Sequence, residues 1–412
     1  MASASIQSRK DRLVSSVAIA FLLVLIAGML RNAVDFSGVN GSAGAAHYVD
    51  FDVFHLVGRM AWRGAVAQSY SIPSMLAAEA AESSLHAQMP WTYPPQFDLI
   101  VALLALVNKG VAYLMFIGAS FGAYLWILRQ LAGPRFGEVV IATFPALMVC
   151  IVVGQNGFLT GALAGAFALA SLRGRRIAGL PLGLMVIKPH LAVGLTVMVL
   201  ARQSWGVLAL ATLVTLASAA VSTLAFGPGI WAAFLAGAHD AGAYLRQGAY
   251  PMYRMTSLYA AARTLGLPAD AGFALQAAAA LAACAATAFA TLQRWPARQQ
   301  VGVALLCTLA ISPYSYDYDM PIFGLAAGLL AADVMLRATV TERALLLALA
   351  WLSTGWWIIV TVTHPSHQMN QDQIVTVSGL SYLLLIVQTL VILRRAAVPA
   401  RHPPPEARTG TA

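Results

Sequence analysis

An all-α, polytopic membrane fold is what this sequence predicts, on three observations. Hydrophobic residues make up 59% of the 412-residue chain and charged residues only 10%, where a soluble domain carries about 25% charged. Such a chain lacks the polar surface to cover a water-soluble globule, which sets aside a soluble enzyme, a disordered linker and a secreted disulfide scaffold. Apolar stretches recur along the whole chain, and a spanning helix needs roughly 20 such residues. The basic residues gather at alternate ends of those stretches, as the positive-inside rule requires.

The first stretch, 13–30, follows a basic N-terminus with Arg9, Lys10 and Arg12. It has no clear small-residue cleavage pattern and many apolar segments follow it, so it reads as a first spanning helix rather than a signal peptide. Residues 32–95 form the longest break. They read as an outer loop with amphipathic interfacial pieces, in which Leu56, Met60 and Trp62 face lipid while Arg59 and Arg63 face water. Further apolar segments lie at 97–128, 136–153, 156–172, 178–200, 205–226, 271–291, 299–312, 320–336, 344–363 and 374–393. Asn108-Lys109-Gly110 splits the first of these into a short piece and a full helix. Lys188-Pro189-His190 splits 178–200 into halves of about 10 residues, too short to cross, and predicts a broken hairpin.

With the N-terminus inside and that hairpin returning to its own side, 17 of the 25 Lys and Arg residues fall on the cytoplasmic face. The expected chain is therefore one transmembrane domain, 1–395, of about ten full crossings plus short or re-entrant helices. A Pro-rich cytoplasmic tail, 396–412, follows. The formal charge of +9 is then a topology signal, and no basic run with interleaved aromatics points to nucleic acid. Cys150, Cys284 and Cys307 lie in apolar runs and read as buried thiols.

The polar clusters that are not basic fall at the outer ends. They are Asp50/Asp52/His55, Tyr93-Pro94-Pro95, Gln155-Asn156, Lys188-Pro189-His190, His239-Asp240, Tyr250 to Arg254, Ser312 to Asp319 and His364 to Asp372. A single fold can gather them into one site at one membrane surface. Asp50 or Asp52 can serve as a general base toward a hydroxyl, or simply cap the following helix, with Asp50 placed as its N-cap. Lys188 sits in an apolar stretch where a charge is costly; with Arg254, or Arg246 as a second partner, it can neutralise a phosphate. Asp317 and Asp319 alternate with tyrosines, a pattern suited to sugar hydroxyls and sugar faces. No dense ligand cluster suggests a metal, and no cofactor motif is present.

Taken in order, these elements resemble glycosyltransferase family 87, polytopic enzymes of the glycosyltransferase C superfamily. The resemblance rests on Asp50, Phe51, Val53, Phe54, Gly64 and Tyr70; on Tyr93-Pro94-Pro95; on Lys188-Pro189; and on Ser312-Pro313. Gly154-Gln155-Asn156-Gly157 is one residue tighter than the family's Gly-Gln-x-Asn element, so no side-chain role is carried to Asn156. The resemblance implies a glycosyltransferase C-like helical bundle. It implies a polyprenyl-phosphate sugar donor, often mannose, and transfer to a glycolipid, glycan or other cell-envelope acceptor at the outer face of the cytoplasmic membrane. The first-loop aspartate of the family maps to Asp50, with Asp52 second. Tyr93, Gln155, Lys188, His190, Arg254, Tyr316 and Asp317 are the expected substrate-binding residues. The proposed partners are the donor, the acceptor and membrane lipids. A transporter or flippase for a lipid-linked or anionic substrate is the alternative; it predicts two matched halves, and no internal duplication is evident. A non-catalytic assembly subunit is a third reading.

Overall fold

The computed structural model describes residues 2–38, 48–83, 89–363 and 374–396. The Pro-rich tail and the His364–Asp372 cluster therefore lie outside the described residues, apart from the start of the tail at Ala396. Seventeen α-helices run through the described chain: α1 Ala2–Phe36, α2 Asp50–Trp62, α3 Ile72–Glu82, α4 Pro95–Leu104, α5 Lys109–Ala132, α6 Phe136–Val153, α7 Gly157–Leu172, α8 Gly179–Leu184, α9 Val193–Ala201, α10 Trp205–Phe226, α11 Gly229–Gln247, α12 Leu258–Thr264, α13 Ala269–Leu292, α14 Ala297–Thr308, α15 Pro321–Arg337, α16 Val340–Thr363 and α17 Ser378–Leu393. Among the described residues the only β-pairing is one isolated antiparallel bridge, Met255 to Tyr316.

Among the described residues, five helical stretches are long and apolar enough to cross a membrane: Asp11–Phe36, Lys109–Val153, Trp205–Phe226, Ala269–Leu292 and Val340–Thr363. Lys109–Val153 is not one rod. Lys109 at its start bonds to Asp52, while Gln155, just past its end, bonds to Asp50 in the same turn of α2. Both ends therefore meet at one end of the bundle, and the chain reverses at the Gly133–Arg135 turn. The break at Lys188 follows the same logic. Arg202, after α9, reaches Ser171 at the end of α7, so the chain enters and leaves this hairpin at one end, with Lys188 at its tip.

The two ends of the bundle differ in chemistry. At one, Arg298 donates to Leu131 O, Arg202 to Ser171 and Gln300, and Arg337 to Arg395 O. Arg298 and Arg337 reach carbonyls at or just past helix C-termini, while Arg202 ties two side chains together. At the other end lie Asp50, Asp52, Asp317 and Asp319, the tyrosines Tyr314, Tyr316 and Tyr318, and the short helices α2 to α4. α15 packs on α5, α6, α7 and α14; α1 packs on α5 and α6; α8 packs on α10.

One expectation is corrected. Leu56 and Met60 are buried within the protein, and only Trp62 of the three is exposed. The reason is α4, which packs on α2 so closely that a methyl group on Gly58 would collide with the Val101 carbonyl. Phe54 fills the same interface, edge-on to Phe97 at 5.1 Å, while Phe51 packs edge-on to Tyr113 of α5 at 5.2 Å. Burial of such side chains away from water contributes about 1.5–3 kcal/mol each, so α2 is a core helix at the rim of the bundle.

Candidate active site

The N-terminus of α2 separates its two acids. Val49 is the N-cap. Asp52 Oδ2 accepts the Val49 N–H at 2.9 Å, and its Oδ1 accepts Lys109 Nζ at 2.6 Å. Asp52 thus fastens the helix start and α5, which matches the capping-box role of an acid at the third helical position. Asp50, expected as the N-cap, is instead the first helical residue, and its side chain lines a cavity of about 950 Å³.

Gly154 ends α6 with φ +68°, a left-handed conformation that suits glycine. A Cβ there would lie 2.5 Å from Phe51 Cβ, so the tight turn and the close approach both need its missing side chain. The turn delivers Gln155 to the start of α2. Gln155 Nε2 donates to Asp50 Oδ1 at 2.8 Å, while its Oε1 accepts from Tyr93 Oη and from the Asn156 N–H, each at 2.9 Å. Tyr93 is held in turn by Asp98, fully buried, which accepts from Tyr70 Oη at 2.8 Å and Trp91 Nε1 at 2.9 Å; Tyr70 Oη also reaches the Tyr93 carbonyl.

Two loops supply the opposite wall. The Met255–Tyr316 bridge, with Thr256 N–H donating to Ser315 O at 2.8 Å, splices the Arg254 loop to the Asp317 turn. Arg254 grips Asp317 through Nη2 at 3.0 Å and Nε at 3.2 Å, leaving Nη1 at 3.8 Å from Asp50 Oδ2. Lys188, at the hairpin tip where Pro189 removes a backbone donor, bonds Asp319 Oδ1 at 2.7 Å. Its ammonium lies 4.6 Å from the Tyr318 ring centre and 5.6 Å from that of Tyr93. The Asp317 turn is pinned from below by Cys150 Sγ, which donates to Tyr318 O at 3.0 Å. Gly157 passes so close to that carbonyl that any side chain would strike it.

Asp50, Tyr93, Gln155, Lys188, His190, Arg254 and Tyr316 all line the one cavity. Asp52 and Asp317 do not; Asp317 holds Arg254 from behind, and Asp52 holds Lys109, which lies off the cavity. His55 bonds the Val107 carbonyl, His239 and Asp240 lie exposed on α11, and Arg246 pairs with Asp270, so none of these joins the site. The sequence reading did not single out Asp98, nor Tyr48 and Trp91 on the cavity wall. Trp91 adjoins the Tyr-Pro-Pro run, which was the available signal; Asp98 carried none beyond an acid in an apolar segment. Among the described residues no group of three or more His, Cys, Asp and Glu converges as a metal site.

Burial pushes the Tyr93 hydroxyl up to about 12, with Lys188 pulling the other way. Burial also raises the Asp317 carboxyl, against the pull of Arg254. For Arg254 burial disfavours the charge, but Asp317 and Asp50 outweigh it and the guanidinium is held more firmly protonated. Each cation of the cavity wall is thus already partnered, Arg254 by Asp317 and Lys188 by Asp319.

The model of glycosyltransferase family 87 matches residues 91–313, more than half of the chain. The chain belongs to glycosyltransferase family 87. Membership implies glycosyltransferase activity, which the polytopic helical architecture of a membrane enzyme accompanies. The family match takes in Tyr93, Gln155, Lys188, His190 and Arg254, while Asp50, Tyr316, Asp317 and Asp319 lie outside it; the cavity brings both sets together. No curated protein and no solved structure matches the chain.

Proposed function

We propose that this family 87 member moves a hexose, mannose favoured, from a polyprenyl-phosphate sugar to a hydroxyl of a glycolipid, glycan or other cell-envelope acceptor, with inversion, at the outer face of the cytoplasmic membrane. The observation that carries the reading is Asp50: a carboxylate on the wall of a large cavity, held by an amide on one oxygen and facing Arg254 with the other. Asp50 takes the proton as the acceptor oxygen attacks the anomeric carbon, and the carbon–oxygen bond to phosphate breaks on the opposite face. Arg254 and Lys188 each have N–H groups beyond those given to Asp317 and Asp319, and these offset the charge arriving on the leaving phosphate. The tyrosines of the wall suit the apolar faces of sugar rings. Asp52 is not part of this reading, since its carboxylate is spent on Val49 and Lys109.

The test is sugar transfer from a panel of polyprenyl-phosphate sugars in membranes, wild type against Asp50→Asn. Loss of transfer in the variant, with one sugar preferred by the wild type, is expected. Normal transfer by Asp50→Asn removes the base, and no transfer from any donor of this class removes the donor assignment. Translocation of such a lipid without transfer would favour the transporter reading.

A further inference from the structure

Gln155 reads at first as a sugar-binding amide. The atoms around it say otherwise. Its Oε1 accepts the backbone N–H of Asn156, and a backbone N–H can only donate. The atom facing it must therefore be the oxygen, which fixes the amide's orientation. The nitrogen is then obliged to face Asp50, an acceptor, at 2.8 Å. A flipped amide would set oxygen against carboxylate and N–H against N–H. Tyr93 Oη gives its proton to the same Oε1, so that hydroxyl has no proton left for a ligand. Gln155 is buried, 2% exposed.

We propose that Gln155 is a positioning residue for Asp50, with Tyr93 as its brace, and that Asp50 Oδ2 is the oxygen that takes the acceptor's proton. This rests on the reading of Asp50 as base. Gln155 occupies Oδ1 and stops rotation of the carboxylate. Oδ2 is left toward the cavity and Arg254 Nη1. The proton released by the acceptor hydroxyl goes to Oδ2 as the new glycosidic bond forms, and the electron pair of the breaking bond goes to the phosphate oxygen. Tyr93 contributes to the site through Gln155, and its ring through Lys188. The Gln155 backbone N–H is itself held by the Cys150 carbonyl at 3.1 Å, which fixes the residue at the end of α6.

The experiment uses the full chain in membranes and measures initial transfer rates with donor and acceptor varied separately, for Gln155→Leu, Gln155→Glu, Tyr93→Phe and Asp50→Asn. Gln155→Glu keeps the size, and keeps one oxygen for Tyr93 and Asn156, but turns its second oxygen on Asp50. Both Gln155 variants are expected to lose about tenfold to a hundredfold in kcat, the worth of a hydrogen bond to a charged group, with each KM within about twofold. Tyr93→Phe is expected to lose less, because Oε1 keeps the Asn156 N–H. If Gln155→Glu keeps the wild-type kcat, or if the variants raise KM at unchanged kcat, Gln155 touches substrate instead and the proposal fails. Wild-type transfer by Asp50→Asn would bring down the base reading and this inference with it. An inactive Asp50→Asn beside a KM-only Gln155 variant would sink this inference alone.

Discussion

The ion pair between Lys188 and Asp319 offers a way to separate what the cavity's charges do for the fold from what they do for transfer. Both side chains are nearly sequestered, 7% and 1% exposed, at 2.7 Å. Lys188→Met keeps the stem and removes the charge. Asp319 Oδ1 then loses the donor that faces it, while Oδ2 keeps only the Tyr316 N–H at 3.2 Å. Removing one partner of a buried pair costs about 3–5 kcal/mol, mostly from the stranded charge. The double variant Lys188→Met/Asp319→Asn strands no charge, and its Asn oxygen can still accept the Tyr316 N–H, so only a neutral amide NH2 is left facing the lost ammonium. Denaturation of the detergent-solubilised full chain, followed by intrinsic fluorescence, reads this as a double-mutant cycle. The single variant is expected to lose about 3–5 kcal/mol and the double variant to recover most of it. Transfer is expected to stay down by on the order of a hundredfold in both, since neither has a cation to meet the phosphate. A single variant within about 1 kcal/mol of wild type would show that water already reaches the pair. Recovery of transfer in the double variant would show that Lys188 serves stability alone.

Three further outcomes follow from the same packing. Gly157→Ala must push the Tyr318 carbonyl and the Asp317 turn aside, so it is expected to cost about 1–3 kcal/mol and to lower transfer; wild-type melting and transfer rates would contradict the contact. Asp98→Ala leaves the buried Trp91 N–H without its acceptor, a loss of about 1–3 kcal/mol measurable in the same denaturation assay. Glu79 on α3 is 1% exposed, and burial lifts its carboxyl from 4.5 to about 7. Between those pH values the unfolded chain releases a proton that the folded chain keeps, so this group's contribution is full below about 4.5, falls as pH rises and is gone above about 7. Glu79→Gln is expected to flatten that stretch of the stability–pH curve, and an unchanged slope would assign it elsewhere.

What was legible in the sequence were features with a local cause. The break at Lys188-Pro189 showed because a charge and a missing donor interrupt an apolar run, and the Asn108 break showed because an Asn side chain caps the next helix, accepting from Gly110 N–H. Features set by distant partners were not legible. Leu56 and Met60 carry an interfacial pattern, and only α4, folding back over α2, hides them. Asp50 and Asp52 are two residues apart, so on a helix they point about 200° from each other, and nothing local says which side meets the cavity. The pairing of Arg254 with Asp317 and of Lys188 with Asp319 spans 63 and 131 residues, beyond any spacing rule.

Those pairings bear on how the proposed reaction handles charge. The cavity and its backing hold three carboxylates, Asp50, Asp317 and Asp319, against two cations, Arg254 and Lys188. A polyprenyl-phosphate sugar brings one further negative charge, on its phosphodiester. As transfer proceeds, Asp50 gains a proton and becomes neutral, while the departing phosphate monoester becomes a dianion. The sum is unchanged; one unit of negative charge moves from Asp50 to the leaving oxygen. A site serving this reaction has to follow a displacement of charge rather than supply new charge. Arg254 is placed for that, with two of its nitrogens on Asp317 and the third beside Asp50 Oδ2. As Asp50 is neutralised, the Nη1 N–H groups lose their anion there and are drawn to the phosphate. Asp317 holds the guanidinium in place throughout, so no reorganisation of the cation accompanies the step. On this argument Asp317→Asn weakens transfer through kcat, by loosening Arg254, and Arg254→Lys fails to restore it, because an ammonium cannot hold Asp317 in a fork and serve Asp50 at once. Transfer rates of Arg254→Lys close to wild type would refute it.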